Sequence, residues 1–124
     1  MKALCMAMIL LSGTTALAQP VPVDAPWQDR PVADLRGLDK VTASAKEILV
    51  KAGTAATFGS LTISVRSCKI RAPDQPPDAT AFLDVVDSRG GAADFHGWIF
   101  ANEPSINLYQ HAVYDIRLIG CRAS

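Results

Sequence analysis

Leu61, Ile63 and Val65 alternate with Thr62, Ser64 and Arg66 inside the stretch Thr57 to Arg66. A repeat of two sends successive side chains to opposite faces of a strand, so this stretch reads as one strand of an antiparallel sheet with a dry face and a wet one. Gly59 near its start predicts a bend or a bulge. Similar runs recur along the chain. Val41 to Lys46 alternates weakly, Ile48 and Val50 share a face, and Lys51-Ala52-Gly53-Thr54 reads as a turn. Ala79 to Asp87 has Ala81, Leu83 and Val85 on one face and Phe82 and Val86 on the other, which predicts a central position. Ser88-Arg89-Gly90-Gly91 predicts a turn into a partner strand, Phe95 to Ala101. Pro104 predicts a short helical turn through Ile106 and Leu108. Val113 to Cys121 sets Tyr114, Ile116 and Leu118 against Asp115 and Arg117. Pro73, Pro76 and Pro77 keep residues 72–78 out of any ladder. The expected fold is all-β: a small antiparallel β-sandwich or barrel of about six to seven short strands over residues 39–124.

The residues ahead of this domain read differently. Lys2, the apolar run Ala3 to Leu11 and the A-x-A pattern Ala16-Leu17-Ala18 before Gln19 read as a secretory signal peptide over residues 1–18. Ser12-Gly13-Thr14-Thr15 stops the run short of the roughly 18 to 20 apolar residues a bilayer span requires, so no transmembrane span is expected after cleavage. Gln at position 19 excludes lipid attachment at the cleavage point, which needs a cysteine there. Residues 19–38 carry Pro20, Pro22, Pro26 and Pro31 and read as a proline-rich extended arm, with Trp27 packing back onto the domain. Pro31, Val32, Leu35 and Leu38 allow one or two helical turns, which Gly37 weakens. The expected location is the periplasm.

Export also decides how the cysteines read. Of three, Cys5 falls in the leader, and the remaining Cys68 and Cys121 predict a disulfide in an oxidising compartment, the alternative being two buried free thiols. With unbroken registers both thiols point away from the main core face, so the bridge is expected near a rim. A bulge in either strand reverses that expectation. There is no C-x-x-C redox motif.

The segments Asp39-Lys40-Val41-Thr42, Phe58 to Arg71, Ala81 to Val85, Phe95 to Ala101 and His111 to Asp115, together with Cys121, carry the patterns F-G-x-L-x-I-x-V-R-x-C-x-x-R and G-W-x-F-A. In these the chain resembles the small secreted proteobacterial family called domain of unknown function 2155, over about residues 39–121. Members usually have Pro after the second Arg and Ser before Gly-Trp, where Ala72 and His96 stand here. The resemblance implies an envelope location and a compact β domain, and it carries no activity.

Side chains suggest a binding role before a catalytic one. Twelve Lys and Arg balance twelve Asp and Glu, which leaves no field for steering nucleic acid. His96 and His111, with Asp94 or Asp115, are the candidates for a metal site or an acid/base pair, but their spacing matches no ligand motif. No metal and no cofactor is expected. Asp84, Asp87 and Asp94 read as a solvated rim, and no G-x-S-x-G or spare cysteine offers a nucleophile. Arg66, Lys69 and Arg71 crowd around Cys68, and beside Trp98 or Tyr109 they form a seat for an envelope protein, an acidic peptide or a polar envelope polymer. The arm is the other docking candidate. The expectation is a non-enzymatic accessory or interaction module of the envelope. A small hydrolase or glycan-acting enzyme and a soluble carrier with an internal cavity are the alternatives.

Overall fold

A computed structural model describes residues 13–16 and 27–124. Its strands are β1 (Gln28–Asp29), β2 (Val32–Asp39), β3 (Ser44–Lys51), β4 (Ala55–Phe58), β5 (Leu61–Ile70), β6 (Ala79–Asp87), β7 (Phe95–Phe100) and β8 (Tyr114–Arg122). A single 3-10 turn, Pro104–Ile106, starts at the proline as expected. One sheet runs β1-β5-β6-β7, with β4 also on β5, and the other runs β3-β2-β8. Every pairing is antiparallel. The two sheets stack as an open sandwich and do not close into a barrel.

The alternation that identifies the strands also builds the core. Leu61, Ile63 and Val65 of β5 and Ala81, Leu83 and Val85 of β6 are buried against Leu35 of β2, Val50 of β3 and Leu118 of β8. Strand β6 lies between β5 and β7, where its two apolar faces placed it. A buried aliphatic side chain contributes about 1.5–3 kcal/mol, so this shared interior holds the two sheets together.

Four expectations need correction. First, Val32 to Leu38 is neither arm nor helix. It is β2, hydrogen-bonded on both sides and central to its sheet, so the compact unit starts well before residue 39. Alternation over Ala33, Leu35 and Gly37 marks this strand, but Ala and Gly contribute too little apolar weight to reveal it. Residues 19–26 of the arm, and most of the leader, lie outside the described residues. Second, Thr57 to Arg66 is not one strand. Phe58 pairs with Leu61 across a two-residue turn, and Gly59 takes φ +57°. Strands β1 and β2 and this split bring the count to eight instead of six to seven.

Third, the disulfide Cys68–Cys121 forms as expected but not at a rim. Arg66 is an extra residue between the paired positions Val65 and Ser67, and Ile119 is an extra residue opposite the Asp34/Leu35 step. Each bulge reverses the phase of the strand beyond it. Cys68 therefore turns inward, 1% exposed, and Cys121 packs against the same core. The bridge ties β5 of one sheet to β8 of the other, with a Cα separation of 5.7 Å. Fourth, Asp87 is not on a solvated rim. Its side chain is buried and accepts from the backbone N–H groups of Arg89 at 2.9 Å and Gly91 at 3.1 Å, capping the loop after β6.

Candidate functional site

The outer face of the larger sheet is built from the polar phase of β5, β6 and β7, and that phase turns out to be aromatic. Register places Lys69 beside Thr80 and Phe100 in one row, Ser67 beside Phe82 and Trp98 in the next, and Ser64 beside Asp84 and His96 in the third. Trp27 reaches this face from just ahead of β1 and meets Phe100 edge-on, with ring centroids 6.4 Å apart. Trp98 meets Phe82 the same way at 5.4 Å. Such edge-to-face pairs fix ring orientation, since the positive edge of one ring meets the negative face of the other.

Each aromatic pair carries an arginine. The Arg66 guanidinium lies 5.5 Å from the Phe82 centroid, and the Arg71 guanidinium lies 5.1 Å from the Trp27 centroid. Two cation-aromatic-aromatic stacks, Arg66·Phe82·Trp98 and Arg71·Trp27·Phe100, therefore stand side by side. Trp27, Lys69, Thr80, Trp98 and Phe100 line a shallow groove between them. Trp98 is 37% exposed, and Thr80, the groove floor, is buried with its hydroxyl donating to the Ile99 carbonyl at 2.8 Å. Lys69 pairs with Asp29 at 3.1 Å. Asp84 is shared between Arg66 and His96. The hydrogen bond with His96 chiefly, and Arg66 in addition, hold the Asp84 carboxyl below its usual range against the opposing effect of burial.

Of the residues singled out as a binding set, the structure gathers Arg66, Lys69, Arg71 and Trp98. It does not include Tyr109. That ring is 6% exposed and packs inside the sandwich against Phe95 at 5.7 Å and His111 at 5.9 Å. Burial, with Asp87 nearby, pushes its hydroxyl up in pKa. Trp27, Phe82 and Phe100 belong to the face but were not in the set. Phe82 and Phe100 share the signal of phase, falling with Trp98 on the side opposite the buried positions, whereas Trp27 lies ahead of β1 and carries none.

The two histidines do different work in different places. His96 lies on the outer face with Asp84, while His111 is buried. The His111 Nδ1 accepts from the backbone N–H groups of Val113 at 2.9 Å and Tyr114 at 3.2 Å, which puts the proton on Nε2. Nε2 then donates to Asp87 at 2.9 Å. Neither histidine pairs with Asp94 or Asp115: His96 pairs with Asp84 and His111 with Asp87. Among the described residues no three His, Cys, Asp or Glu side chains converge as a metal site requires. His111 and Asp87 thus fix the loops that follow β6 and precede β8.

The outer face of the smaller sheet pairs its own charges. Arg117 meets Asp115 at 3.4 Å and Arg122 meets Glu47 at 3.8 Å. Burial first, and then the Glu47 carboxyl, push Asp34 up in pKa. Leu49 and Ile119 are exposed on this face without an aromatic neighbour comparable to Trp98.

Residues 33–121 match the model of a family described as "Uncharacterized protein conserved in bacteria (DUF2155)". The chain is also 25% identical over 87 residues to the uncharacterized protein RP359 of Rickettsia prowazekii (strain Madrid E). That match covers 68% of this chain and 56% of the relative, so the chain spans about half the length of the curated protein it matches. No solved structure matches it. The matched segment opens within β2 and ends at Cys121, enclosing both cysteines and the whole of β5, β6 and β7, and on that match the chain belongs to the DUF2155 family of bacterial proteins.

Proposed function

We propose that this protein is a non-enzymatic binding module of the cell envelope, exported to the periplasm after cleavage behind Ala18, and that it docks its partner on the outer face of the larger sheet. The observation that carries the reading is the exposed Trp98 set in a face with Trp27, Phe100 and three cations. A sheet face that only had to meet water would carry small polar side chains. Aromatic side chains with arginine beside them are the residues from which binding hot spots are made. The A-x-A pattern and the disulfide support export, since disulfides persist in oxidising compartments. Among the described residues no helix is long and apolar enough to cross a membrane.

The test is retention of the tagged mature protein on fractionated envelope. Wild type should be retained, Trp98→Ala should lose retention while keeping its melting temperature, and His96→Gln should behave as wild type. Loss of the cellular role in His96→Gln with Trp98→Ala unaffected would move the reading to an active site at the Asp84 pair.

A further inference from the structure

We infer that the free edge of β8 pairs with the same edge of a second copy of this chain, joining the smaller sheets of the two copies into one continuous antiparallel sheet. The inference goes beyond the reading of the Trp98 face and concerns the other sheet.

Backbone phase shows what this edge offers. The Lys40 N–H donates to the Val113 carbonyl at 2.8 Å. Alternation from that bond turns the backbone groups of Asp115 and Arg117 toward β2 and those of Tyr114, Ile116 and Leu118 away from it. Strand β8 ends its sheet, so the groups turned away have no strand beyond them. The Tyr114 N–H is met by the His111 Nδ1 at 3.2 Å. Among the described residues no backbone hydrogen bond reaches the outward groups of Ile116 and Leu118. Beside them runs a cleft of about 160 Å3, with Ile99, Pro104 and Leu108 along its other wall. Leu108 and Ile119, which also line it, are 51% and 53% exposed. Unpaired backbone groups with an apolar flank invite another strand.

The other long terminal strands are guarded. Strand β7 ends the larger sheet, and the Asn107 side chain donates to the Trp98 carbonyl at 2.9 Å in the middle of its free side. Strand β3, at the other end of the smaller sheet, carries exposed Lys46 and Lys51, and lysine is a residue that blunts an edge.

Charge chooses the occupant and fixes its register. A two-fold axis at Ile116 lets the Ile116 N–H and carbonyl exchange bonds with the partner's Ile116, and lets the Leu118 N–H donate to the partner's Tyr114 carbonyl. The same register sets Asp115 across from the partner's Arg117, and Arg117 across from the partner's Asp115. These are the closer, non-hydrogen-bonded positions, with Cβ atoms about 4.5–5.5 Å apart, where opposite charges attract and like charges repel. Within one copy Arg117 and Asp115 meet at 3.4 Å, so two copies close a ring of alternating charges. The edge is therefore complementary to itself. Exposed Ile119 comes beside the partner's Val113. Because the axis stands normal to the sheet, both Trp98 faces end on the same side of the assembly.

The test is sedimentation of the mature chain over about 1–500 μM, with hydrogen exchange at the Ile116 and Leu118 amides followed across the same range. A reversible dimer is expected, with those two amides protected at high concentration and exchanging freely on dilution. Arg117→Asp should weaken the dimer about tenfold or more with an unchanged thermal melt, because acids then face acids in both rows. Asp115→Arg combined with Arg117→Asp should restore it, since the exchanged charges alternate again. Trp98→Ala should leave the dimer intact. A chain that stays monomeric throughout overturns the inference, as does a dimer that Arg117→Asp leaves at full strength. Protection of the two amides that is independent of concentration also overturns it, because a segment of the same chain then covers the edge.

Discussion

Asp87 shows how much a single side chain can settle in a domain of this size. It sits at the end of β6, accepts a hydrogen bond from the His111 Nε2–H and caps two backbone N–H groups of the next loop. The hydrogen bond from His111 is the largest cause of its strongly depressed pKa, with the Arg89 backbone N–H and Ser60 next. A carboxylate held below its unfolded value stabilises the fold above that value, near 4, and the stabilisation is lost as pH falls through the folded value. The melting temperature should therefore drop steeply as pH is lowered from about 5 to about 2, and in Asp87→Asn the acid slope should be visibly flatter. Parallel slopes in thermal melts of the two proteins would show that Asp87 is not the group responsible. The same pair explains why His111 could not be read from the sequence. Its partner lies 24 residues away, and only the packing of the β6 end against the start of β8 brings them together.

At the scale of elements, turns and bulges decide more than propensity does. Gly59 adopts φ +57°, and a Cβ there would stand 2.3 Å from the Tyr114 hydroxyl. Gly59→Ala should cost about 1–3 kcal/mol in denaturant unfolding, from strain at the turn and displacement of that ring. Gly120→Ala, with a negative φ and nothing near its Cβ position, should stay within about 0.5 kcal/mol. Equal effects would mean that the β4–β5 turn tolerates an ordinary residue. The strands with Leu, Ile and Val on one phase, β5, β6 and β8, were legible because those side chains carry the apolar weight of the alternation. Strand β2 was not, because its inward positions include Ala33 and Gly37, and Gly37 is required by the Phe58 ring 2.9 Å from its Cβ position. The bulges at Arg66 and Ile119 have no signature in residue type, so the inward turn of Cys68 could not be foreseen. The binding face was half legible. Trp98 and the three cations were picked out, but Trp27 arrives from outside the sheet and Tyr109 departs into the core.

At the scale of the whole molecule, two sheets share one core and a single covalent tie. Cys68 and Cys121 are 53 residues apart in sequence, a loop whose closure is worth about 4 kcal/mol on the chain-entropy account. Cys121→Ser should lower stability by about 2–5 kcal/mol in equilibrium unfolding, and reduction of the wild type should do the same. A loss below about 1 kcal/mol would mean the core alone holds the sheets in place. The core lies between the sheets and the bridge joins them there, so the larger sheet's outer face with its exposed Trp98 lies outside both, and the account as a whole rests on that face being where the protein meets its partner. The most direct measurement is the pair of indole N–H signals in a 1H–15N spectrum of the mature protein as the envelope fraction that retains it is added. The account predicts that both the Trp27 and Trp98 signals shift or broaden first, together with the amides of Lys69, Thr80 and Phe100. Perturbation confined to Leu49, Arg117 and Ile119 on the opposite sheet would contradict it.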